Sequence, residues 1–337
     1  MAPASQISTP TAASDTPTSS VHDPAIFAGQ FQDHLSLNVM DLELLHQYNT
    51  STSYTLTNYP GLQTFFRVVV PQIGFQYPFL LHGVLAMSSL HLSNYRHGDA
   101  HARYMNQVHY HYDTALRAAT SLLQTINSET AVPLYLFGGF CSLITLGLGP
   151  KPGDFLLFGN EGVAEWLLLF RGMRSIIGMN YEVLRHSELA PMFHISIQNI
   201  ENERPANIEH IKELREMISE TAKSDPDLEM YLFALDALAK SFPSEAIPGT
   251  RATQASPQVA FVWFYRVSDT FVQRLQERRP LALLILSYFC VELNDLSSFW
   301  WMKGWAQHLL SEIYSCINKD FQIWLRWPMS EIGWIPA

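Results

Sequence analysis

Apolar residues recur three and four apart along most of this chain, and no stretch alternates with period two, so the pattern predicts helices throughout. The pattern is clearest after Pro78, which lacks a backbone N–H and pre-sets a helical φ, as the first turn of a helix requires. Beyond it Leu81, Leu85 and Leu92 share a face, and Gly83, Ala86, Ser88 and Ser89 keep the remaining surface thin. A helix built that way can be approached closely from several sides, which suits a central core position.

The other elements follow in order. Asp41 to Tyr48 reads as a short helix capped by Asp41, and Asn49 to Pro60 as a Ser/Thr-rich connection. Asp99 is the candidate cap of a long helix whose stripe is Tyr104, Val108, Tyr112, Ala115, Ala119, Leu122 and Ile126. Pro133 to Leu148 and Glu161 to Ile177 are the next helices. The second has Trp166, Phe170 and Met173 on its apolar face and Arg171 and Arg174 as a solvated or ion-paired rim. Ile208, Ile211, Leu214 and Ile218 mark an amphipathic peripheral helix within the polar stretch Gln198 to Asp227, and Pro226 opens another. A loop is predicted over Pro243 to Pro257, then helices over Gln258 to Glu277, Pro280 to Leu293 and Phe299 to Ile317. Pro280 to Leu293 is apolar nearly all round, hence central. Trp301, Trp305, Leu309 and Ile313 fall on one face of the last helix. The predicted fold is all-α, an array of packed helical pairs around a central apolar helix.

Composition sharpens this picture. Of 337 residues, 47% are hydrophobic and 15% charged, enough for a large core with little charge to spare for the surface. The net charge of −10 opposes extensive contact with nucleic acid. Residues 1–24, mostly Ser, Thr, Pro and Ala, are expected to be a disordered tail before an all-helical domain over 25–337. The first Lys or Arg is Arg67, a pattern unlike a signal peptide, a transit peptide or a basic import cluster. The longest apolar runs, Leu134 to Leu148 and Leu281 to Val291, are too short for a membrane span. Cys141, Cys290 and Cys316 sit singly in apolar helical patterns and read as reduced and structural.

Candidate chemistry is sparse. His109 and His111 point to nearly opposite sides of one helix. A turn at Gly98 separates His97 from His101, and His82 and His91 are about half a turn out of phase, so none of these pairs shares a metal ion. Gly147 to Gly153 lacks the Gly-Lys-Ser/Thr ending of a phosphate loop. No nucleophile elbow, zinc-protease motif, Cys-x-x-Cys pair or dinucleotide fingerprint occurs, so no catalytic, cofactor or metal residue is assigned.

The central stretch carries more than periodicity. Val70-Pro71, Phe75, Pro78-Phe-Leu-Leu-His82, Leu85-Ala86, Ser88 and Leu90-His-Leu92 resemble the regulatory domain of fungal zinc-cluster transcription factors of the sterol uptake control type. Leu42 to Tyr48 with Ser51 and Thr52, Trp166 to Arg174, Pro280 to Leu286, Phe299 to Trp305 and Trp324 to Pro328 extend the resemblance from about Asp41 to Ile335. It implies an all-helical, self-associating domain that senses a hydrophobic, sterol-like molecule and works in the nucleus; cytoplasmic residence is the alternative, as no basic import cluster is visible. The family's zinc cluster needs six close cysteines, and three scattered ones cannot supply it. The chain is therefore expected not to contact DNA directly but to regulate a fungal metabolite pathway, pairing with a full-length relative or with itself. The alternative is an enzyme or carrier for a hydrophobic metabolite, derived from this domain. Phe79, His82, Gly83, Met87, Trp300, Trp301, Gly304 and Trp305 are the candidate ligand-binding residues, with the two glycines leaving room and the tryptophans offering flat faces.

Overall fold

A computed structural model describes residues 38–122, 126–159, 162–193, 208–242 and 257–336, within which the compact unit is Asp41–Ala337. The predicted tail over 1–24, the stretch 198–207 and the loop over 243–256 lie outside the described residues, as do the side chains of Met173 and Arg174.

Fourteen α-helices are present among the described residues. The first half runs α1 (Val39–Thr50), α2 (Pro60–Thr64), α3 (Val70–Gln76), α4 (Pro78–Ser93), α5 (Gly98–Leu122), α6 (Ala131–Gly147) and α7 (Glu165–Arg185). A 3-10 turn at Thr52–Thr55 follows α1, and a π-helical segment at Phe65–Val69 joins α2 to α3. The second half runs α8 (Glu209–Thr221), α9 (Leu228–Ala239), α10 (Pro257–Arg266), α11 (Asp269–Gln276), α12 (Pro280–Asp295), α13 (Trp305–Cys316) and α14 (Arg326–Ile332). Two-residue strands, β1 (Phe158–Gly159) and β2 (Gly162–Val163), pair antiparallel before α7. The class is all-α.

Consecutive helices pack as pairs: α4 with α5, α6 with α7, α8 with α9, α12 with α13. Two helices, rather than one, are surrounded. In α4 every residue from Gly83 to Ser93 is buried, and its small residues explain how neighbours come so close. Ser88 Oγ donates to Leu44 O of α1 at 2.7 Å, and Ser89 Oγ donates to Tyr104 O of α5 at 2.8 Å. In α12, Leu281 to Leu293 are all buried, and α9, α11, α13 and α14 pack around it.

Three boundaries differ from expectation for identifiable reasons. Asp41 lies inside the first turn of α1 and Asp99 inside that of α5, where carboxylates favour the positive end of the helix dipole without being caps. The helix predicted over Gln258 to Glu277 is two, because Ser268 Oγ accepts from Phe271 N at 3.1 Å and starts α11 afresh. The helix predicted from Phe299 is a 3-10 turn (Trp300–Met302) followed by α13, separated by Gly304 at φ +87°. Trp301, Trp305, Leu309 and Ile313 are nonetheless all buried, as the spacing predicts. Arg171 is paired with Asp269 and donates to Val267 O at 3.0 Å, so the rim of α7 is tied to the start of α11.

Candidate functional site

The end of α4 meets three distant segments at one seam. The His91 ring is stacked on the Trp300 indole, with centroids 4.9 Å apart and planes 19° from parallel. Thr52 Oγ1, from the turn after α1, lies 2.9 Å from His91 Nδ1. Trp300 Nε1 donates to Thr55 Oγ1 at 2.9 Å, and Trp301 Nε1 donates to Thr55 O at 3.2 Å. Trp305 Nε1 donates to Leu146 O in the last turn of α6 at 2.9 Å. Gly147 completes the seam, because a Cβ there would stand 2.9 Å from Leu90 Cδ2, 3.1 Å from Trp300 Cζ3 and 3.3 Å from Trp301 Cβ. Burial lowers the His91 pKa from 6.5 to about 4, so at neutral pH the seam holds a neutral imidazole.

The eight candidate ligand residues are spread along this frame rather than gathered at one point. Phe79 packs edge-on against Phe137 of α6 at 5.7 Å, and Met87 is buried in α4. Phe79 and His91 are twelve residues apart, roughly 18 Å of helix. The stacking contact between α4 and the tryptophans lies beyond Met87, where His91 meets Trp300. The glycines serve purposes other than room. A Cβ on Gly83 would lie 3.1 Å from Phe137 Cδ2, so Phe137 already fills that space. Gly304 faces solvent, and its left-handed φ is what turns the chain into α13.

His82, half-buried, belongs to a second constellation. Its Nδ1 is 2.8 Å from Nδ1 of His111, which is buried, and His111 Nε2 is 3.3 Å from Asp41 Oδ1. Reading each helix alone pairs the histidines wrongly, since His82 and His111 sit on different helices. Neither site supplies a metal set, and no group of three or more His, Cys, Asp and Glu among the described residues is placed to hold an ion. The cysteine thiols are free, and burial pushes that of Cys141 up to about 12, so it is unreactive at neutral pH. No described helix is long and apolar enough to cross a membrane.

Comparison with known proteins puts these sites in context. The family described as "Fungal specific transcription factor domain" matches residues 43–201. Residues 43–201, a little under half of the chain, are similar to that domain. A Zn(2)-C6 fungal-type transcription factor of Gibberella zeae is 25% identical over 335 residues, covering 93% of this chain and 66% of that protein. Sterol uptake control protein 2 of Saccharomyces cerevisiae is 24% identical over 172 residues, 49% of this chain and 18% of that protein. Sterol uptake control protein 2 of Candida albicans is 31% identical over 96 residues, 28% of this chain and 13% of that protein. The chain thus spans just under two thirds of the first relative and less than a fifth of the other two. The domain match takes in α1 through α7, and Trp300, Trp301 and Trp305 lie beyond it. The seam at His91 is one of the places where the matched residues meet the rest of the unit; the tie from Arg171 to Asp269 is another.

Proposed function

We propose that this chain is a regulatory module of fungal transcription that acts in the nucleus, through other proteins rather than by reading DNA itself. The observation that carries the reading is the fungal specific transcription factor domain over 43–201, joined to relatives that are themselves transcription factors. Two physical facts support it. The net charge of −10 is the wrong sign for a nucleic-acid surface, and the three cysteines are buried or half-buried singly in helices. On this reading the partner is a second copy of the chain or a full-length zinc-cluster relative, and the controlled genes serve a metabolite pathway. A hydrophobic, sterol-bulk effector belongs to the same reading, since two relatives are named for sterol uptake control. It would act at the His91–Trp300 seam, where the Phe79–Met87 helix and the tryptophans touch.

A tethering experiment tests the proposal. The whole chain, fused to an unrelated DNA-binding module, is expected to change transcription of a reporter carrying that module's site. The untethered chain should shift no duplex DNA. A reporter that never responds, together with turnover of a hydrophobic metabolite by the purified chain, would replace this reading with the enzyme alternative.

A further inference from the structure

We propose that Asp41, His111 and His82 form a one-proton relay that clasps the first turn of α1 to the α4–α5 pair and opens when a second proton arrives. The geometry limits what the pair can hold. Two Nδ1 atoms 2.8 Å apart accommodate a single hydrogen between them, so one ring donates and the other accepts. Asp41 decides which. A lone pair on His111 Nε2 would face a carboxylate oxygen 3.3 Å away, which is repulsive, so Nε2 carries a hydrogen. His111 Nδ1 is then the acceptor, and His82 donates from its own Nδ1. The basic nitrogen left over is Nε2 of His82, on the half-buried ring.

The first proton goes to that nitrogen. The resulting His82 imidazolium keeps its Nδ1–H bond to His111, which keeps its Nε2–H toward Asp41, so a positive and a negative end are linked through a neutral ring. Of the ring nitrogens, a second proton has only His111 Nδ1 to occupy. There it would confront the Nδ1–H of His82 across 2.8 Å, and the contact must part. Burial works in the same direction, holding the His82 pKa below its ordinary value and that of His111 down to about 4, while Asp41 pulls both upward.

The neighbouring polar groups have partners of their own. From α1, Glu43 accepts from Tyr104 hydroxyl at 2.6 Å, and Arg103 donates to the same hydroxyl. From α5, the Tyr110 ring packs edge-on to both imidazoles, at 6.2 Å and 5.0 Å. From α6, apolar Phe137 and Phe140 face α4 at Gly83, and the Cys141 thiol is engaged by Tyr112. From α3, Gly74 meets α4 at Leu81. Asp41 stands in the first turn of α1, so the relay reports whether that turn is seated.

Long-range proton–nitrogen correlation spectra of the full, 15N-labelled chain test this directly, with His82→Gln used to assign the pair. At neutral pH we expect His82 as the Nδ1–H tautomer and His111 as the Nε2–H tautomer. Asp41→Asn should lower the His82 titration midpoint by several tenths of a pH unit or more and relax the tautomer of His111. On acidification His82 should titrate first, and α1 amide signals should shift only with the second step. The wild-type tautomers need no variant to fold. His82 found as Nε2–H at neutral pH, or midpoints unmoved by Asp41→Asn, would overturn the proposal.

Discussion

Replacing Gly147 by Ala measures how tightly the seam is closed. Gly147 is the last residue of α6 and has ordinary helical geometry, so an alanine there meets no backbone strain. In an open site the change would stabilise the helix, by up to about 1 kcal/mol in a helix interior and by less at its end. Space decides the sign. The new methyl would lie 2.9 Å from Leu90 Cδ2, 3.1 Å from Trp300 Cζ3 and 3.3 Å from Trp301 Cβ. Leu90 can rotate its terminal methyl away. Trp300 cannot yield so easily, being held by the hydrogen bond to Thr55 on one side and the stack on His91 on the other. Overpacking of this kind costs about 1–3 kcal/mol, leaving a net loss of about 1–2 kcal/mol. In a unit of this size that corresponds to a fall in Tm of roughly 2–3 °C. Urea unfolding followed by tryptophan fluorescence gives the free energy, and the emission of folded Gly147→Ala should differ from wild type because Trp300 has moved. An alanine variant as stable as wild type or more so, with unchanged emission, would show that the seam is slack.

Three more outcomes follow from the same geometry. His91 has its folded pKa pulled from 6.5 to about 4, so its contribution is complete above about pH 6.5 and is lost as pH falls toward 4; at about 1.4 kcal/mol per unit it approaches 3 kcal/mol, readable by urea unfolding at pH 7.5 and 4.5. A stability flat across that range refutes the buried neutral imidazole, though His111 adds loss of the same sign, so His91→Gln must shrink the pH dependence. Trp300→Phe keeps a ring on His91 but loses the N–H to Thr55, and should cost about 1 kcal/mol in chemical denaturation plus a term for lost ring area, with Thr55→Ala costing less in that background than in wild type, where it removes the bond to Trp300 as well as the one to Thr52 O. Gly304→Ala should cost about 1 kcal/mol through its left-handed φ although nothing lies within 4 Å of the new methyl, and Gly304→Asn should cost less; equal stability of all three by thermal melting would mean the turn is not set by φ.

Helices α4 and α12 were legible because one property, an apolar run opened by proline, governs both their start and their burial. The break at Ser268 was hidden for the opposite reason: neither Pro nor Gly marks it, and a serine declares itself a cap only when its hydroxyl finds Phe271 N. The candidate ligand residues rest on residue type, glycine for room and tryptophan for flat faces. Type does not tell whether Phe137 already occupies the space beside Gly83. The His82–His111 pair could not be read at all from spacing within a helix, since the rings meet only because the small face of α4 lets α5 lie close. Thr52 and Thr55 looked like punctuation in a loop. They are the points at which segments 39 and 245 residues apart are bonded to it.

The tryptophans show what any effector at this seam must contend with. A buried indole N–H needs an acceptor, and a carbonyl oxygen, with two lone pairs, can supply one even where it already holds a backbone bond. The fold brings the two together. Trp305 donates to Leu146 in the last turn of α6, Trp301 to Thr55 at the end of a 3-10 turn, and Trp166 to Leu156 in the loop before β1. The Trp301 and Trp305 bonds span 246 and 159 residues, so these two indoles are cross-links as well as packing units. A purely apolar molecule wedged against Trp300 or Trp305 would strand the indole N–H, a loss of about 1–3 kcal/mol, while the Thr55 hydroxyl keeps its bond to Thr52 O and Leu146 O keeps its bond from Gly149 N. An effector that opens the seam must therefore either leave these bonds standing and slide along the Trp300 face opposite His91, or bring a hydroxyl or carbonyl to replace them. A hydrophobic body with one polar end meets that demand, and a featureless hydrocarbon does not. Paired titrations of a polycyclic alcohol and its parent hydrocarbon, read by tryptophan emission, should then separate, with quenching by the alcohol alone; equal response to both would mean that the indole bonds are not what guards the seam.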